Sequence, residues 1–275
     1  MFPYPVVFGL TMYDILLCAG VVVAFLIFSI LADKHKIMVK VQRFAILCGA
    51  VAVVLGYGSA VLFQAFYNIK SRGEFVLDGT TGATFYGGLV GGVIVFILLF
   101  FGIGGFIFKD NRHAKDFFKI ANSAIPGIVL GHSLGRVGCL FAGCCHGAPT
   151  DAWYGINMLV NKGSELVWVK FVPIQLFEAI FLMLLFAFLI TFSLLKKKLI
   201  LPFYLIIYGV WRFVIEYFRG DYRGDTFIEA LTPSQLIACI LVVVGIALIF
   251  IETAVTKYIA KLDSAKTEAK DESNA

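Results

Sequence analysis

The chain has 275 residues, of which 60% are apolar and 15% charged, and its formal net charge is +5. The mean hydropathy of +0.91 is higher than a water-soluble domain needs to build a core, which excludes a soluble enzyme or binding module. The composition therefore predicts an all-α, polytopic integral membrane protein.

Apolar runs of about the 20 residues needed to cross a bilayer follow one another along the chain. They cover residues 10–32, 44–66, 86–107, 172–195, 200–218 and 233–252. Segment 121–141 is richer in glycine but of spanning length, so we count seven spans. The first run lacks a basic leader and a small-residue cleavage site, which predicts a retained helix. We expect a membrane domain over 1–256 and a charged, disordered cytoplasmic tail over 257–275.

Basic residues are distributed unequally between the two sides of this topology. Loops after odd-numbered spans and the tail hold Lys34, Lys36, Lys40, Arg43, Lys109, Arg112, Lys115, Lys119, Lys196, Lys197, Lys198, Lys257, Lys261, Lys266 and Lys270. The other side holds Lys70, Arg72, Lys162, Lys170, Arg219 and Arg223. The positive-inside rule then predicts an outer N-terminus and a cytoplasmic C-terminus. Orientation and contact with anionic lipid explain the net charge, which argues against nucleic-acid binding.

The third span begins with glycines at helical spacing. Gly87 and Gly88 each have another glycine four residues further on, at Gly91 and Gly92. Such a bare stripe lets a neighbouring helix approach closely. Tyr86, directly before the stripe, is either an interfacial aromatic or a hydroxyl that points into a cavity.

A glycine-rich stretch, Gly131 to Gly147, ends the fourth span and places Arg136 at bilayer depth. A guanidinium there costs roughly 2.5–3.5 kcal/mol on insertion scales, so it should pair with another group or face a polar cavity. Gly143 and several reactive side chains share the stretch, namely His132, Cys139, Cys144, Cys145 and His146.

These thiols could line a cavity, form a disulfide, bind a metal, or include a nucleophile that carries lipid covalently. The spacing Cys-x4-Cys-Cys-His matches no zinc pattern, so we expect neither a metal nor a cofactor.

The next two spans also carry charges. Glu178 lies one to two turns into its span, where a lone carboxylate requires an arginine partner. In the following span Tyr208, Arg212, Glu216 and Arg219 are spaced i, i+4, i+8 and i+11, and so share one helix face. This stripe indicates an internal cavity or a structural salt bridge between Arg212 and Glu216.

The need to pair buried charges predicts that charged side chains of these two spans and of the glycine-rich fourth span lie close together. We expect Arg136 and Arg212 to approach one cavity, with Glu178 or Glu216 pairing an arginine, because unpaired charges at that depth are too costly.

Four motifs, in this order along the chain, resemble those of the prolipoprotein diacylglyceryl transferases. FYGGLVGG is similar to a His-Gly-Gly stretch of that family, and GRVGCLFAGCCHG to its signature Gly-Arg-x-Gly-Asn-Phe-x-Asn-Gly-Glu-x-x-Gly. PIQLFEA is similar to its Pro-x-Gln-Leu-Tyr-Glu helix, and YGVWRFVIEYFRGD to its second arginine helix. With seven spans, the resemblance covers nearly the whole chain.

The resemblance implies transfer of a diacylglyceryl group from phosphatidylglycerol to the lipobox cysteine thiol of a prolipoprotein, at the outer leaflet of the bacterial inner membrane. Arg136 and Arg212 would bind the phosphate through their planar guanidiniums. Glu216 would hold Arg212 in position, and Tyr208 would add a hydrogen-bond donor. Glycerol 1-phosphate would leave as a thioether forms.

Three departures from the family pattern affect proton transfer. Tyr86 replaces a histidine, Cys139 an asparagine and Cys144 a glutamate. The base that accepts the thiol proton is then His132 or Tyr86, with His146 behind them. Two alternatives stay open: a related lipid transferase with another acceptor that uses the cysteines, and a lipid transporter or binding protein without chemistry.

Overall fold

Helices make up most of the computed structural model, which describes residues 4–73, 75–78, 81–162, 165–220, 228 and 230–274. For residues 70–72, 161–162, 165–166 and 266–274 it describes the backbone alone. Within this part of the chain, seven helices are long and apolar enough to cross a membrane, which confirms the predicted number of spans. Arg223, counted among the outer charges, lies outside the described residues.

The helices in chain order are α1 (Met12–Lys34), α2 (Val39–Arg72), α3 (Phe85–Ile97), α4 (Gly104–Ile107), α5 (Arg112–Lys115), α6 (Phe117–Ala142), α7 (Ile174–Leu194), α8 (Ile200–Ile215) and α9 (Pro233–Asn274). A π-helical segment, Leu98–Ile103, joins α3 to α4 in one span. A 3₁₀ turn, Glu216–Phe218, extends α8.

Local capping shifts the helix ends from the hydropathy prediction. At the start of α1 the backbone N–H of Thr11 donates to Asp14 Oδ2 at 2.9 Å, and the Asp14 N–H donates to Thr11 Oγ1 at 3.3 Å. This capping box satisfies backbone donors that have no partner within the helix. The first helix therefore begins at Met12, and not at the predicted residue 10.

The chain divides into two compact units, one of residues 1–35 and 121–275 and the other of residues 36–120. In the first unit, α1 and α6 approach closely at Gly20 and Gly131. A Cβ added at Gly20 would lie 2.9 Å from the Gly131 carbonyl oxygen, so a larger residue does not fit. Gly209 allows a similarly close approach between α8 and α9, because an added Cβ would lie 2.9 Å from the Ala238 carbonyl oxygen.

An apolar cluster holds α6, α7 and α8 of this unit together. Its fully buried members include Val129, Leu182, Leu189 and Ile200. In water such burial contributes about 1.5–3 kcal/mol per side chain, whereas within a bilayer close packing takes over this role. Val129 lies one turn from His132 on α6, and Leu182 lies one turn from Glu178 on α7. The apolar cluster therefore fixes the helices next to the charged residues.

In the second unit α2 packs against α3 along the predicted glycine stripe. A Cβ added at Gly87 would lie 2.6 Å from Phe63 Cβ, and one added at Gly88 would lie 3.2 Å from Ala60 Cβ. The hydroxyl of Ser59 donates to the Gly87 carbonyl at 2.9 Å. The expected close helix approach is confirmed, and α2 is the neighbour.

A β-hairpin follows α6, and the sequence analysis did not predict it. Strands β1 (Ile156–Lys162) and β2 (Glu165–Phe171) pair antiparallel, with Leu159 opposite Trp168. The run of β-branched and aromatic residues in β2 is the sequence signal that was available. Helix α9 continues to Asn274, through the segment expected to be disordered, and the predicted domain boundary at 256 stays a prediction.

Candidate active site

A buried carboxylate, Glu178 of α7, lies at the centre of the charged residues of the first unit. Its side chain has 0% relative exposure, and its Oε1 accepts a hydrogen bond from the Tyr208 hydroxyl at 3.0 Å. Its Oε2 lies 3.1 Å from Arg136 Nε and 4.0 Å from an Arg212 terminal nitrogen. Two guanidiniums thus share one carboxylate oxygen, which confirms that Arg136 and Arg212 come together and pair with a glutamate.

Helical spacing explains how the surrounding groups converge on Glu178. His132 and Arg136 are one turn apart on α6, and Tyr208 and Arg212 are one turn apart on α8, so each helix presents two polar groups on one face. His132 Nε2 lies 3.9 Å from Glu178 Oε1. Its ring meets the Tyr208 ring edge to face, with centroids 5.3 Å apart. His132 is therefore part of the same group of side chains.

Arg212 has a second set of partners on the side facing α9. Its Nη2 lies 2.8 Å from Glu216 Oε2 and donates to Ser234 Oγ at 3.0 Å. The Thr232 hydroxyl donates to Glu216 Oε1 at 3.2 Å. The salt bridge considered as an alternative to a cavity exists, and it belongs to the network around Glu178.

The two arginines and two glutamates balance in charge, and three of the four are almost completely buried. The side-chain exposures are 0% for Glu178, 4% for Glu216 and 5% for Arg212, against 14% for Arg136. Removing one partner from such a group leaves an uncompensated buried charge, which costs about 3–5 kcal/mol. Arg136 is the most exposed of the four, so it is the member that a ligand can reach most easily.

A second cluster, of thiols, lies where α6 ends. The Sγ atoms of Cys139, Cys144 and Cys145 all lie within 4.8 Å of one another. Gly143 and Cys145 both have left-handed backbone conformations, with φ of 70° and 60°. These two residues reverse the chain after Ala142 and turn the adjacent cysteines towards the helix end. This backbone geometry brings the two adjacent cysteines to one point, although their spacing in the sequence matches no zinc pattern.

A glutamine fixes the loop that carries the thiols. The fully buried Gln175 donates from Nε2 to the Cys144 carbonyl at 2.6 Å. The Cys144 N–H and thiol both donate to the Cys139 carbonyl, at 3.2 and 3.8 Å. The Gly147 N–H donates to the Val172 carbonyl at 2.9 Å. The loop is therefore held by specific hydrogen bonds at both ends.

The electrostatic surroundings of the thiol cluster favour a negative charge on one of its members, Cys145. Hydrogen bonds from the Cys139 and Cys144 thiols lower the pKa of the Cys145 thiol, and the positive charges of Arg136 and Arg219 act in the same direction against the effect of burial. Arg219, predicted to share a helix face with Arg212, thus lies in electrostatic range of the thiols. Arg136 links the thiol cluster to the carboxylate cluster, since it interacts with both.

His146 follows the cysteines but takes a different position. Its ring stacks on Phe171, with centroids 3.7 Å apart and an interplanar angle of 26°, and its Nδ1 lies 3.0 Å from the Gly147 carbonyl oxygen. An Nδ1–H tautomer, with a free Nε2 as acceptor, fits this contact.

Tyr86 belongs to the other unit, as do Gly87 and Gly88. It is the second residue of α3, and its ring packs edge-on against Phe85 with centroids 5.8 Å apart. Its predicted role as a base stays a prediction.

Several residues of the site were not singled out in the sequence. Ser234 and Thr232 come from the start of α9, which has no motif of its own. Gln175 was part of a quoted motif, but nothing in its spacing indicated a contact with a cysteine carbonyl. Tyr13 packs on α6 at Gly138, where an added Cβ would lie 3.1 Å from its ring, and it lies in electrostatic range of Cys139.

The fold and the site together define a class, a polytopic membrane protein whose apolar helices enclose paired arginines and carboxylates. Residues 3–251 match the family model described as prolipoprotein diacylglyceryl transferase. The chain therefore belongs to the prolipoprotein diacylglyceryl transferase family.

Relatives with similar sequences are bacterial proteins named for this activity. A phosphatidylglycerol–prolipoprotein diacylglyceryl transferase of Clostridium tetani is 32% identical over 200 residues, which cover 72% of this chain and 75% of that one. One from Finegoldia magna is 27% identical over 248 residues, covering 88% and 92%. One from Streptococcus mutans is 29% identical over 248 residues, covering 87% and 89%. The comparison with solved structures found no match.

Proposed function

We propose that this protein transfers the diacylglyceryl group of phosphatidylglycerol to the lipobox cysteine thiol of a prolipoprotein, in the bacterial inner membrane. The observation that carries the proposal is the convergence of Arg136 and Arg212 on one oxygen of buried Glu178, in a chain of this family. The names of the relatives supply both substrates.

The arginines bind the lipid phosphate. A guanidinium has five N–H donors in one plane, so an ion pair through one nitrogen leaves donors for a bidentate contact with a phosphate. Bound between Arg136 and Arg212, the phosphate keeps its charge partners among largely buried side chains, where such contacts stabilise the departing anion most. Glu216 and Ser234 hold Arg212, and Tyr208 holds Glu178, so the pair is positioned before the lipid arrives.

The chemical step exchanges one bond for another. The acceptor thiol loses its proton and its sulfur attacks the glyceryl carbon next to the phosphate oxygen. The carbon–oxygen bond breaks, and glycerol 1-phosphate leaves with the electron pair. His132 is the preferred base because its ring nitrogen lies beside Glu178, 3.9 Å from Oε1. Tyr86 is the next candidate and His146 the third.

The site faces the outer leaflet in this proposal, as the distribution of basic residues between loops predicts. In the presence of a metal chelator, a membrane-impermeant thiol reagent on intact cells should label the exposed Cys144. A cysteine introduced by Lys197→Cys should resist labelling until the cells are opened. Labelling of the introduced cysteine in intact cells, with Cys144 protected, would reverse the orientation.

Reconstitution tests the proposed reaction. The purified protein in phosphatidylglycerol liposomes should add one diacylglyceryl group to a synthetic lipobox peptide, seen as a mass increase that resists hydroxylamine because the link is a thioether. Liposomes of phosphatidylcholine, and a peptide with serine in place of the lipobox cysteine, are the controls. No product on the cysteine peptide would contradict the proposal and favour a transferase with another acceptor or a lipid-binding protein.

A further inference from the structure

We propose that Cys139, Cys144 and Cys145 bind one zinc ion through their three thiolates and leave its fourth coordination position open to an incoming thiol. The part that concerns metal binding is independent of the proposed function. The identity of the incoming thiol, the lipobox cysteine, rests on the proposed function.

The positions of the sulfur atoms fit a common metal. Zinc binds thiolate at about 2.3 Å, so two sulfurs on a tetrahedral zinc are about 3.8 Å apart. The three Sγ atoms already lie within 4.8 Å of one another, and rotation about the Cα–Cβ bonds can close the remaining gap of about 1 Å. Three thiolates are soft ligands, which select zinc and copper(I) over magnesium or calcium.

The surroundings of the thiols supply what a metal site needs beyond its ligands. Two adjacent cysteines reach one point because Cys145 is held at φ 60°, a conformation that costs energy for a residue with a side chain. Gln175 fixes the loop through the Cys144 carbonyl. Such supporting hydrogen bonds orient ligands and are a regular part of metal sites.

Charge and access also fit. Zinc with three thiolates has a net charge of −1, and the cationic side chains of Arg136 and Arg219 lie in electrostatic range of Cys145. Cys144 is exposed, which leaves a route for the ion and for a fourth ligand. Zinc sites with three protein ligands and an open fourth position are typical of catalysis.

An open position beside Arg136 has a chemical consequence. A thiol that coordinates zinc loses its proton outright, and the proton passes to solvent. The bound sulfur keeps a lone pair that can attack the glyceryl carbon while the phosphate is held by the arginines, and glycerol 1-phosphate leaves with the electron pair. Coordination would then do what a histidine does as a base, in a chain that lacks the histidine of the family pattern before Gly87.

Zinc content tests the site directly. The full-length protein in detergent, reduced with a phosphine and dialysed against zinc, should contain one zinc per chain by mass spectrometry. Cys139→Ser, Cys144→Ser and Cys145→Ser should each lower the content at least tenfold. The control variant, Cys18→Ser with Cys48→Ser and Cys239→Ser, should keep one zinc. No zinc in the reduced protein, or equal zinc in cluster and control variants, would overturn the proposal.

X-ray absorption spectroscopy at the zinc edge tests the coordination in the unmodified protein, so misfolding of a variant cannot affect the result. The unmodified protein should show three sulfur neighbours at about 2.3 Å. Adding a lipobox peptide should raise the number to four, whereas the serine peptide should leave it at three. A count that the cysteine peptide does not change would overturn the open position. Neither measurement depends on turnover, so a zinc site in a protein that transfers nothing would refute the proposed function alone.

Discussion

The carboxylate cluster around Glu178 and the thiol cluster at the end of α6 lie next to each other but are built in different ways. The first joins side chains of three helices, spaced one turn apart on regular backbone, and balances its own charge. The second joins three neighbours in sequence through a loop with two left-handed residues, Gly143 and Cys145. Helical periodicity therefore positions the phosphate ligands, whereas local backbone geometry positions the thiols.

The largest effect is expected at the centre of the carboxylate cluster. Glu178→Ala leaves two guanidiniums without their shared partner and should lower the free energy of unfolding in micelles by about 3–5 kcal/mol. Glu252→Ala is the matched control, since Glu252 is also buried but accepts hydrogen bonds from amides, of Asn122 and Leu199. The Glu252→Ala substitution should lower the free energy of unfolding by about 1–3 kcal/mol. Equal losses in the two variants would mean that Glu178 does not hold the arginines.

Replacing a guanidinium without changing its charge tests the phosphate contact. Arg212→Lys should lower the transfer rate about 10²–10³-fold, because lysine cannot form the bidentate contact with the leaving phosphate. Arg112→Lys, at an exposed arginine of the other unit that pairs with the buried Asp116, should leave the rate unchanged. An Arg212→Lys enzyme with full activity and unchanged phosphatidylglycerol dependence would contradict the proposed role of the pair.

Removing the candidate base should act on turnover. His132→Gln should lower kcat at least about a hundredfold with little change in KM, the usual scale for losing a general base. Tyr86→Phe and His146→Gln compare the other candidates. His35→Gln is the histidine control, because His35 contacts Ser123 and the Ser193 carbonyl. If His132, Tyr86 and His146 all prove dispensable, the zinc-bound thiol becomes the better account of proton loss.

The smallest effect is expected at the support of the thiol loop. Gln175→Ala should weaken zinc binding about 10–100-fold, the usual range for a residue that orients a metal ligand, without abolishing it. Gln42→Ala, at a buried glutamine of the other unit, should leave zinc affinity unchanged. Zinc affinity that is insensitive to both substitutions would show that the loop keeps its shape without the Gln175 contact.

The carboxylate cluster could be predicted because charge pairing and helical spacing, two rules that apply directly to a sequence, determine most of it. Charges at bilayer depth need partners, and spacings of four residues place Tyr208 and Arg212 on one face. The partner of Arg136 could be narrowed to a glutamate, although the choice between Glu178 and Glu216 needed the packing of α6 against α7. The seven spans followed from hydropathy alone.

The thiol cluster and the hairpin were not predictable in the same way. The positive φ of Cys145 has no sequence signal, since non-glycine residues rarely adopt that conformation. The contact of Gln175 with the Cys144 carbonyl joins residues 31 positions apart. The strands Ile156–Lys162 and Glu165–Phe171 lie between the fourth and fifth apolar runs, in a segment that hydropathy assigns to no span.

A structure of the protein in phosphatidylglycerol nanodiscs would test the central claim most directly. The account predicts a lipid phosphate within hydrogen-bond distance, about 2.7–3.2 Å, of the guanidiniums of both Arg136 and Arg212, beside Glu178. A headgroup bound elsewhere, with both guanidiniums engaged only by carboxylates, would contradict it.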